Sequence, residues 1–336
     1  MPAHLKMINS NLAIGPMSSE IIEAAFRVSH YKRKELMIIA SKNQIDHNRG
    51  YVNNWITKDF MAFINKMKQT YPNSNVKICR DHCGPGFNGI DDLEDSYKTI
   101  EADIRNGFDL IHIDFCNFKG SKEEQFQESK KAIEYCYKLN PRILIEVGTD
   151  ENTGTNFGAM NLREVEREIN FFASFCKPEF YVVQTGSLIK EINQIGNFNK
   201  EFVQKISQIL KSNGIKFKEH NADYLSKDEI KMREGIVDAM NIAPQLGVIQ
   251  TATTLSECLI YGIDFTEFLN EVYEKGKWKK WMHNSSSDNK FLCCVIAGHY
   301  HFASENYKKI IEKLSEREDI KENIINSIVE VIDHYA

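Results

Sequence analysis

The chain has 336 residues, 42% of them hydrophobic and 26% charged, with a formal net charge of −5 at pH 7. That composition is ordinary for a globular protein, and the acidic balance gives no electrostatic footprint for nucleic acid. No apolar run approaches the length of a membrane span, no charged-then-apolar leader opens the chain, and the eight scattered cysteines read as reduced thiols, so a cytoplasmic protein is expected.

Short β-rich runs alternate with amphipathic helices from the N-terminus onward. Ser10 to Ile14 leads into a capped helix start at Ser18-Ser19-Glu20. Leu36 to Ser41 is followed by a helix opening at Thr57, with Phe60, Ile64 and Met67 at helical spacing. Val76 to Asp81 precedes a helix from Asp91 to Asn106 that carries Leu93, Tyr97, Ile100 and Ile104 on one face and stops at Gly107. Leu110 to Asp114 and Arg142 to Gly148 are the next strands, then a helix from Leu162 to Cys176 and the strand Phe180 to Gln184. A helix from Lys200 to Ser212 ends before Gly214, and Ile215 to His220 and Val237 to Ile242 are the last strands. Eight strands whose starts lie 22 to 40 residues apart predict an α/β fold, a (β/α)8 TIM barrel over residues 1–254. From Ser256 on only helix is expected, with a polar break at Asn284 to Asp288. Residues 255–336 thus read as a helical C-terminal extension packed on the barrel, as a cap or as an oligomer interface.

A barrel of this kind does its chemistry at the C-terminal ends of its strands. Seven of the eight expected strands end in polar groups there. They supply Lys42, Asn43 and Gln44; Asp81 and His82; His112 and Asp114; Glu146, Gly148 and Asp150; Gln184; Glu219 and His220; and Asn241. Residues two apart share a face of a strand, so His112 pairs with Asp114, and Glu146 with Asp150. Any one of these fits a helix cap or a solvated turn; the recurrence is the signal. Two imidazoles, His82 and His220, with carboxylates and a carboxamide suit a borderline divalent ion such as Zn²⁺, or Mn²⁺ where oxygen ligands dominate.

The stretch Ile78-Cys79-Arg80-Asp81-His82-Cys83-Gly84-Pro85-Gly86 offers two rivals. Cys79 and Cys83 on one strand do not converge on an ion. Cys83 beside His82 looks like a nucleophile with its base, but consecutive side chains on an extended segment point apart. The pair Cys293-Cys294 lies in an apolar helical stretch and reads as core.

The same residues carry a resemblance. Ser41-Lys42-Asn43-Gln44-Ile45-Asp46 with Gly50-Tyr51 and Thr57-Lys58-Asp59-Phe60, then Asp81-His82-Cys83-Gly84-Pro85, Ile111-His112-Ile113-Asp114, Gly148-Thr149-Asp150, Val183-Gln184-Thr185-Gly186 and Glu219-His220-Asn221-Ala222-Asp223-Tyr224 follow one another. Their order resembles the motifs of the class II tagatose-bisphosphate aldolase accessory subunits and the related ketose-phosphate 4-epimerases, over roughly residues 10 to 250. The chain departs from that pattern at Asp150, Thr185 and Asn221-Ala222, and Asn241-Ile242-Ala243-Pro244 is only loosely similar. The C-terminal segment with Trp278, Trp281 and Ala297-Gly298-His299-Tyr300-His301 has no counterpart in it.

The resemblance implies a metal-dependent barrel acting on a ketose or ketose phosphate. In that scheme His82 and His220 hold the ion, with Asp150, Gln184 and Glu146 as further ligands. Asp81 takes the C4 hydroxyl proton while the C3–C4 bond breaks, and Asp114 is a second proton-handling group. Lys42, Asn43, Gln44, His112, Gly186, Ser187 and Asn241 are expected at the substrate, with Arg49 and Arg80 as further charge for a phosphate. Re-addition of the released aldehyde by its other face makes a 4-epimerase; its departure makes an aldolase. Two alternatives stand beside this: a non-catalytic accessory subunit bound to a separate aldolase, and a metal-free aldolase with a Schiff-base lysine at Lys77 or Lys218; the assembly expected is a homo-oligomer or a complex with an aldolase partner subunit.

Overall fold

The structure, a computed structural model, describes residues 7–149 and 162–336. Strands β1 (Leu12–Ile14), β2 (Glu35–Ser41), β3 (Asn75–Cys83), β4 (Leu110–Ile113), β5 (Leu144–Thr149) and β6 (Phe180–Val183) follow in chain order. A short antiparallel ribbon, β7 (Ile189–Lys190) with β8 (Asn193–Gln194), precedes β9 (Lys216–Glu219) and β10 (Ala239–Ile242). All but the ribbon pair in parallel and close in the order β1-β10-β9-β6-β5-β4-β3-β2. The fold is the expected (β/α)8 TIM barrel, and each anticipated strand lies within two residues of its expected ends. The ribbon was not anticipated: two residues per strand carry no readable alternation.

Helices α1 (Ser19–Lys32), α2 (Thr57–Thr70), α3 (Leu93–Asn106), α4 (Lys122–Leu139), α5 (Leu162–Ala173), α6 (Lys200–Ser212), α7 (Lys227–Arg233) and α8 (Pro244–Tyr261) ring the barrel. Their starts obey side-chain capping. Ser18 Oγ accepts from Ile21 N at α1, Asp92 caps α3 through Glu94 N, and Ser121 and Glu124 form a reciprocal box at α4.

Alternation along each strand separates two cores. Ala13, Met37, Ile39, Cys79, Leu110, Phe180 and Ala239 form one buried cluster with Ile8, filling the barrel interior. Their neighbours Leu12, Ile38, Ile78, Ile111, Tyr181 and Met240 belong to the larger cluster shared with the helices. Arg80 lies on that outer side. Its guanidinium grips both Asp103 oxygens at 2.6 and 2.8 Å and donates to the carbonyls of Ala40 and Ile45, so it serves the β2–β3–α3 seam and not a phosphate.

Helix α8 carries the chain through residue 254. Beyond it α9 (Thr266–Lys275), α10 (Lys290–Ala297), α11 (Glu305–Ser315) and α12 (Ile320–Tyr335) make the C-terminal segment helical, joined by short 3-10 turns at Lys277–Lys280, Asn284–Ser286 and Gly298–His301. Helix α12 packs against α1 and α8, where Arg27 pairs with both Glu322 oxygens at 2.6 and 2.7 Å. Among the described residues, no helix is long and apolar enough to cross a membrane.

One buried acid joins the end of β9 to α8. Asp223 Oδ1 accepts from Ala243 N and Gln245 N at 3.0 and 2.8 Å, and burial pushes this carboxyl up to about 7 despite those bonds. The folded chain therefore keeps a proton that the unfolded chain loses near pH 4. Stability attributable to Asp223 falls as pH rises from about 4 to about 7, by on the order of 4 kcal/mol, and is level above that. Urea denaturation at pH 5 and pH 8 should show Asp223→Asn removing much of the wild-type drop in stability. An unchanged drop would place the titration elsewhere.

Candidate metal centre

Polar residues at alternate positions of β3, β4, β5 and β9 meet at the C-terminal mouth. Asp81 Oδ1, His112 Nδ1, Glu146 Oε1 and His220 Nε2 lie within 4.8 Å of one another. His112 Nδ1 stands 3.5 Å from Asp81 and 3.4 Å from Glu146; His220 Nε2 stands 3.9 and 3.7 Å from the same two oxygens. Ligands sharing a tetrahedral ion at about 2.1 Å are about 3.4 Å apart, so the spacing suits one ion. Asp81 Oδ1 and Glu146 Oε1 are buried and accept no hydrogen bond among the described residues. A buried carboxylate oxygen left without a donor is costly, and a cation removes that cost. Two oxygens and two imidazole nitrogens form a donor set that Zn²⁺ and Mn²⁺ both accept.

The surroundings hold these groups in binding form. His112 Nε2 bonds the carbonyl of Gly148 at 2.9 Å, so it carries the proton, and Nδ1 accepts from the His82 amide at 3.2 Å while lying beside the Asp81 and Glu146 oxygens. Lys218 Nζ lies 2.7 Å from Glu146 Oε2. Burial pushes the Glu146 carboxyl up, but Lys218 first, with His112 and His220 beside it, outweighs that and brings the group down to about 2. Burial likewise opposes ionisation of Asp81, yet His82, His112 and His220 hold it well below the usual carboxylate range.

A break in strand geometry brings Asp81 and His82 to the same place. Ideal extension sends consecutive side chains to opposite faces. The β3–β4 register shifts between Arg80 and Cys83, and His82 has φ of 44°, a left-handed value uncommon outside glycine. Both side chains therefore reach the mouth. His82 Nδ1 pairs with Asp114 Oδ2 at 2.7 Å, and its ring stacks on Phe87. Asp114 is fixed in turn by Thr149 Oγ1 and by the amide of Cys116. Burial opposes ionisation of Asp114, but the His82 bond and charge leave it below the usual range. Gly84 follows with its α-carbon pressed on β4: a Cβ there would stand 1.7 Å from the Asp114 carbonyl oxygen.

Above the centre is a cleft of about 550 Å³. Asp81 and His82 form its floor and Asn43, Gln44, Tyr51 and Phe87 its walls; Lys275, Lys277, Lys280, Trp281, Tyr300 and His301 form a roof. The buried Asn241 carboxamide at the end of β10 has no hydrogen-bond partner among the described residues at either polar atom.

The His82 and His220 rings, expected to meet, have centroids 5.0 Å apart. Asp81 and His112, given other roles by the sequence, stand among the converging donors. Gln184 follows β6 at the same rim, and Asp150 lies outside the described residues. Three residues expected at the substrate are occupied elsewhere. Lys42 is buried in an ion pair with Asp95 at 2.6 Å. Ser187 Oγ donates to Glu219 Oε1 and accepts from Arg233 in a buried network. Gly186 packs on the Asn197 carbonyl. Neither Schiff-base lysine faces the cleft: Lys218 is held by Glu146, and Lys77 lies near Glu35 at the start of β2. Cys83 is buried beside the Ser96 carbonyl, its thiol pushed up to about 12 by burial. The roof and Tyr51 were not foreseen as site residues. The run Lys277-Trp278-Lys279-Lys280-Trp281, basic and aromatic together, was the available signal.

Residues 9–136, from β1 through most of α4, match the family model described as D-tagatose-1,6-bisphosphate aldolase subunit GatZ/KbaZ-like. Three solved structures share the architecture. One described as a probable tagatose 6 phosphate kinase from Sinorhizobium meliloti 1021 superposes with a TM-score of 0.81 at 17% identity, covering 96% of this chain and 98% of that one. The fructose-bisphosphate aldolase of Campylobacter jejuni gives 0.62 at 13%, covering 97% and 90%. The YdjI aldolase of Escherichia coli K12 gives 0.55 at 12%, covering 92% and 94%. At such identities the likeness is one of fold.

The close approach at Gly84 yields a direct test. Gly84→Ala should cost about 1–3 kcal/mol through forced displacement of the β4 end. It should also perturb the His82 ring resonances through Asp114. A variant as stable as wild type with unshifted His82 signals would show that this contact does not position the pair.

Proposed function

We propose that this chain, a distant member of the D-tagatose-1,6-bisphosphate aldolase subunit family, is a divalent-cation-dependent 4-epimerase of a ketose or ketose phosphate. The observation that carries the reading is the convergence of Asp81, His112, Glu146 and His220 around two buried carboxylate oxygens that lack a donor. These four would hold the ion, Zn²⁺ or Mn²⁺. The resemblance implied a ligand role for His82 and a base role for Asp81, and we exchange them. Asp81 Oδ1 stands among the donors, whereas His82 Nδ1 is taken by Asp114 and its ring lines the cleft.

With Nδ1 bonded to Asp114, proton transfer at His82 falls to Nε2, which lies 3.7 Å from Asp81 Oδ2. Nε2 accepts the C4 hydroxyl proton. The C4–O electrons become the aldehyde carbonyl, the C3–C4 bond breaks, and its electron pair passes to C3 and the C2 oxygen as an enediolate. A bound divalent ion supplies the positive charge that stabilises such an enediolate. Asp114 stabilises the imidazolium formed at His82, and Asn241 offers its carboxamide to the sugar hydroxyls. C3 then attacks the opposite face of the turned aldehyde, and the His82 proton returns to the new C4 alkoxide.

A subunit role is the second reading. Leu259, Ile260 and Tyr261 at the end of α8 are exposed together, an apolar surface that suits a partner chain. That reading expects neither product below and co-purification with a separate aldolase.

Elemental analysis of purified protein should find a divalent metal, with His220→Ala losing it and chelation abolishing turnover. Full activity of the metal-free protein would end the proposal. In NMR of incubated ketose phosphates, a C4 epimer marks the epimerase and a triose the aldolase. Asp114→Asn should keep the ion but lower kcat by about 10²–10⁴-fold. An unchanged kcat would remove His82–Asp114 from the chemistry.

A further inference from the structure

We propose that Lys275, Lys277 and Lys280 form an anion subsite in the roof of the cleft, and that it takes the phosphoryl group of a phosphorylated ketose whose carbonyl end lies at Asp81 and His82. The assignment of the sugar rests on the function proposed above; the assignment of the anion rests on the roof itself.

All three lysines line the same cleft as the floor groups. Surface lysines of this chain commonly lie on a nearby carboxylate: Lys98 on Glu94, Lys131 on Glu128, Lys205 on Glu201 and Lys308 on Glu305, each within 2.8 Å. No described carboxylate pairs with Lys275, Lys277 or Lys280. Lys280 Nζ instead lies over the Trp281 ring, 4.5 Å from its centroid, and 5.8 Å from that of Tyr300. Nor do the roof histidines add charge. Burial, then the Lys280 charge, brings His299 down to about 3, and burial with Lys275 and Lys277 holds His301 low against its bond to Glu271. The cleft wall is thus cationic through its lysines, and that charge is uncompensated by the protein.

The backbone that carries them is fixed. Gly276, at φ of 66°, turns the chain out of α9 between Lys275 and Lys277. Trp278 is buried, stacks on Tyr273 and donates to its carbonyl at 2.8 Å. The β7–β8 ribbon holds the other end: Glu191 N donates to the Trp281 carbonyl and Lys190 Nζ to the Lys280 carbonyl, both at 2.7 Å. The three lysines are thus carried on a backbone held from both sides. Three ammonium groups exceed the single charge of a carboxylate and match a phosphate dianion with three acceptor oxygens. The cleft volume lies in the range that encloses small ligands.

Calorimetry on the full chain with D-fructose 6-phosphate and D-fructose as probes tests this. Wild type should bind the phosphorylated sugar at least about tenfold more tightly, as one or two charged hydrogen bonds would give. The preference should shrink as salt rises from about 50 to about 300 mM. The triple variant Lys275→Gln, Lys277→Gln, Lys280→Gln should lose the preference while keeping its thermal midpoint and its metal content. Lys277→Glu alone should weaken the phosphate and leave the free sugar unchanged. No preference in wild type, a preference that survives the triple variant, or tighter binding of a ketohexuronate than of the phosphate would each overturn the subsite. A metal-bearing protein with no phosphate preference sinks the subsite alone. Lysine-dependent phosphate binding in a protein that holds no metal supports the subsite and sinks the epimerase reading.

Discussion

Three carboxylates, Asp81, Asp114 and Glu146, occupy the barrel mouth, and one ammonium group, Lys218, lies among them. Buried charge of one sign is unstable unless it is neutralised. His82 provides one remedy, its Nδ1 lying 2.7 Å from Asp114 Oδ2. The remaining oxygens, Asp81 Oδ1 and Glu146 Oε1, face each other across His112 and His220, which present nitrogens to the same point. A divalent cation there supplies the missing charge and fills every donor at once. The same excess of negative charge that makes the mouth unfavourable as a core makes it strong as a cation site.

The end of β3 converts that charge into chemistry. Had the strand run on ideally, Asp81 would face the barrel and His82 the helices. The register shift and the left-handed φ at His82 bring both inward, at a cost in backbone energy that local sequence preference does not explain. Gly84 then lets the chain pass against the Asp114 carbonyl, which places that carboxylate on His82. One irregular stretch thus brings two adjacent residues to the mouth, Asp81 beside His112, Glu146 and His220, and His82 on Asp114.

The regular parts of this arrangement were legible in the sequence. Strand alternation put Leu110 and His112, or Lys218 and His220, on one face, and the barrel rule told which end mattered. What failed were inferences that depend on partners distant in the chain. Lys42 reads as a free cation until Asp95 is brought beside it, and Ser187 reads as a phosphate ligand until Glu219 and Arg233 take its hydroxyl. Arg80 alternates outward, as period two requires, yet its charge drew it toward the site on paper. The placement of both Asp81 and His82 at the mouth was illegible because it arises from a departure from the strand geometry that sequence reasoning assumes.

The roof completes the division of labour within the fold. The match to the subunit family covers residues 9–136, which carry Asp81, His82, His112 and Asp114 but none of the roof. The floor is held by strands in a closed ring, and under the proposed function its groups would act on atoms common to all ketoses. The roof comes from the helical C-terminal segment, held by the β7–β8 ribbon and outside the strands of the ring. Under the proposed subsite, specificity for the remote end of a substrate would be set by side chains carried outside the strands of the barrel. Lysines without carboxylate partners fit that role, because a charge spent on an internal ion pair is unavailable to a ligand. Lys42 and Lys275 are both lysines near one cleft, and the presence or absence of an acid beside each separates the structural cation from the recognition group.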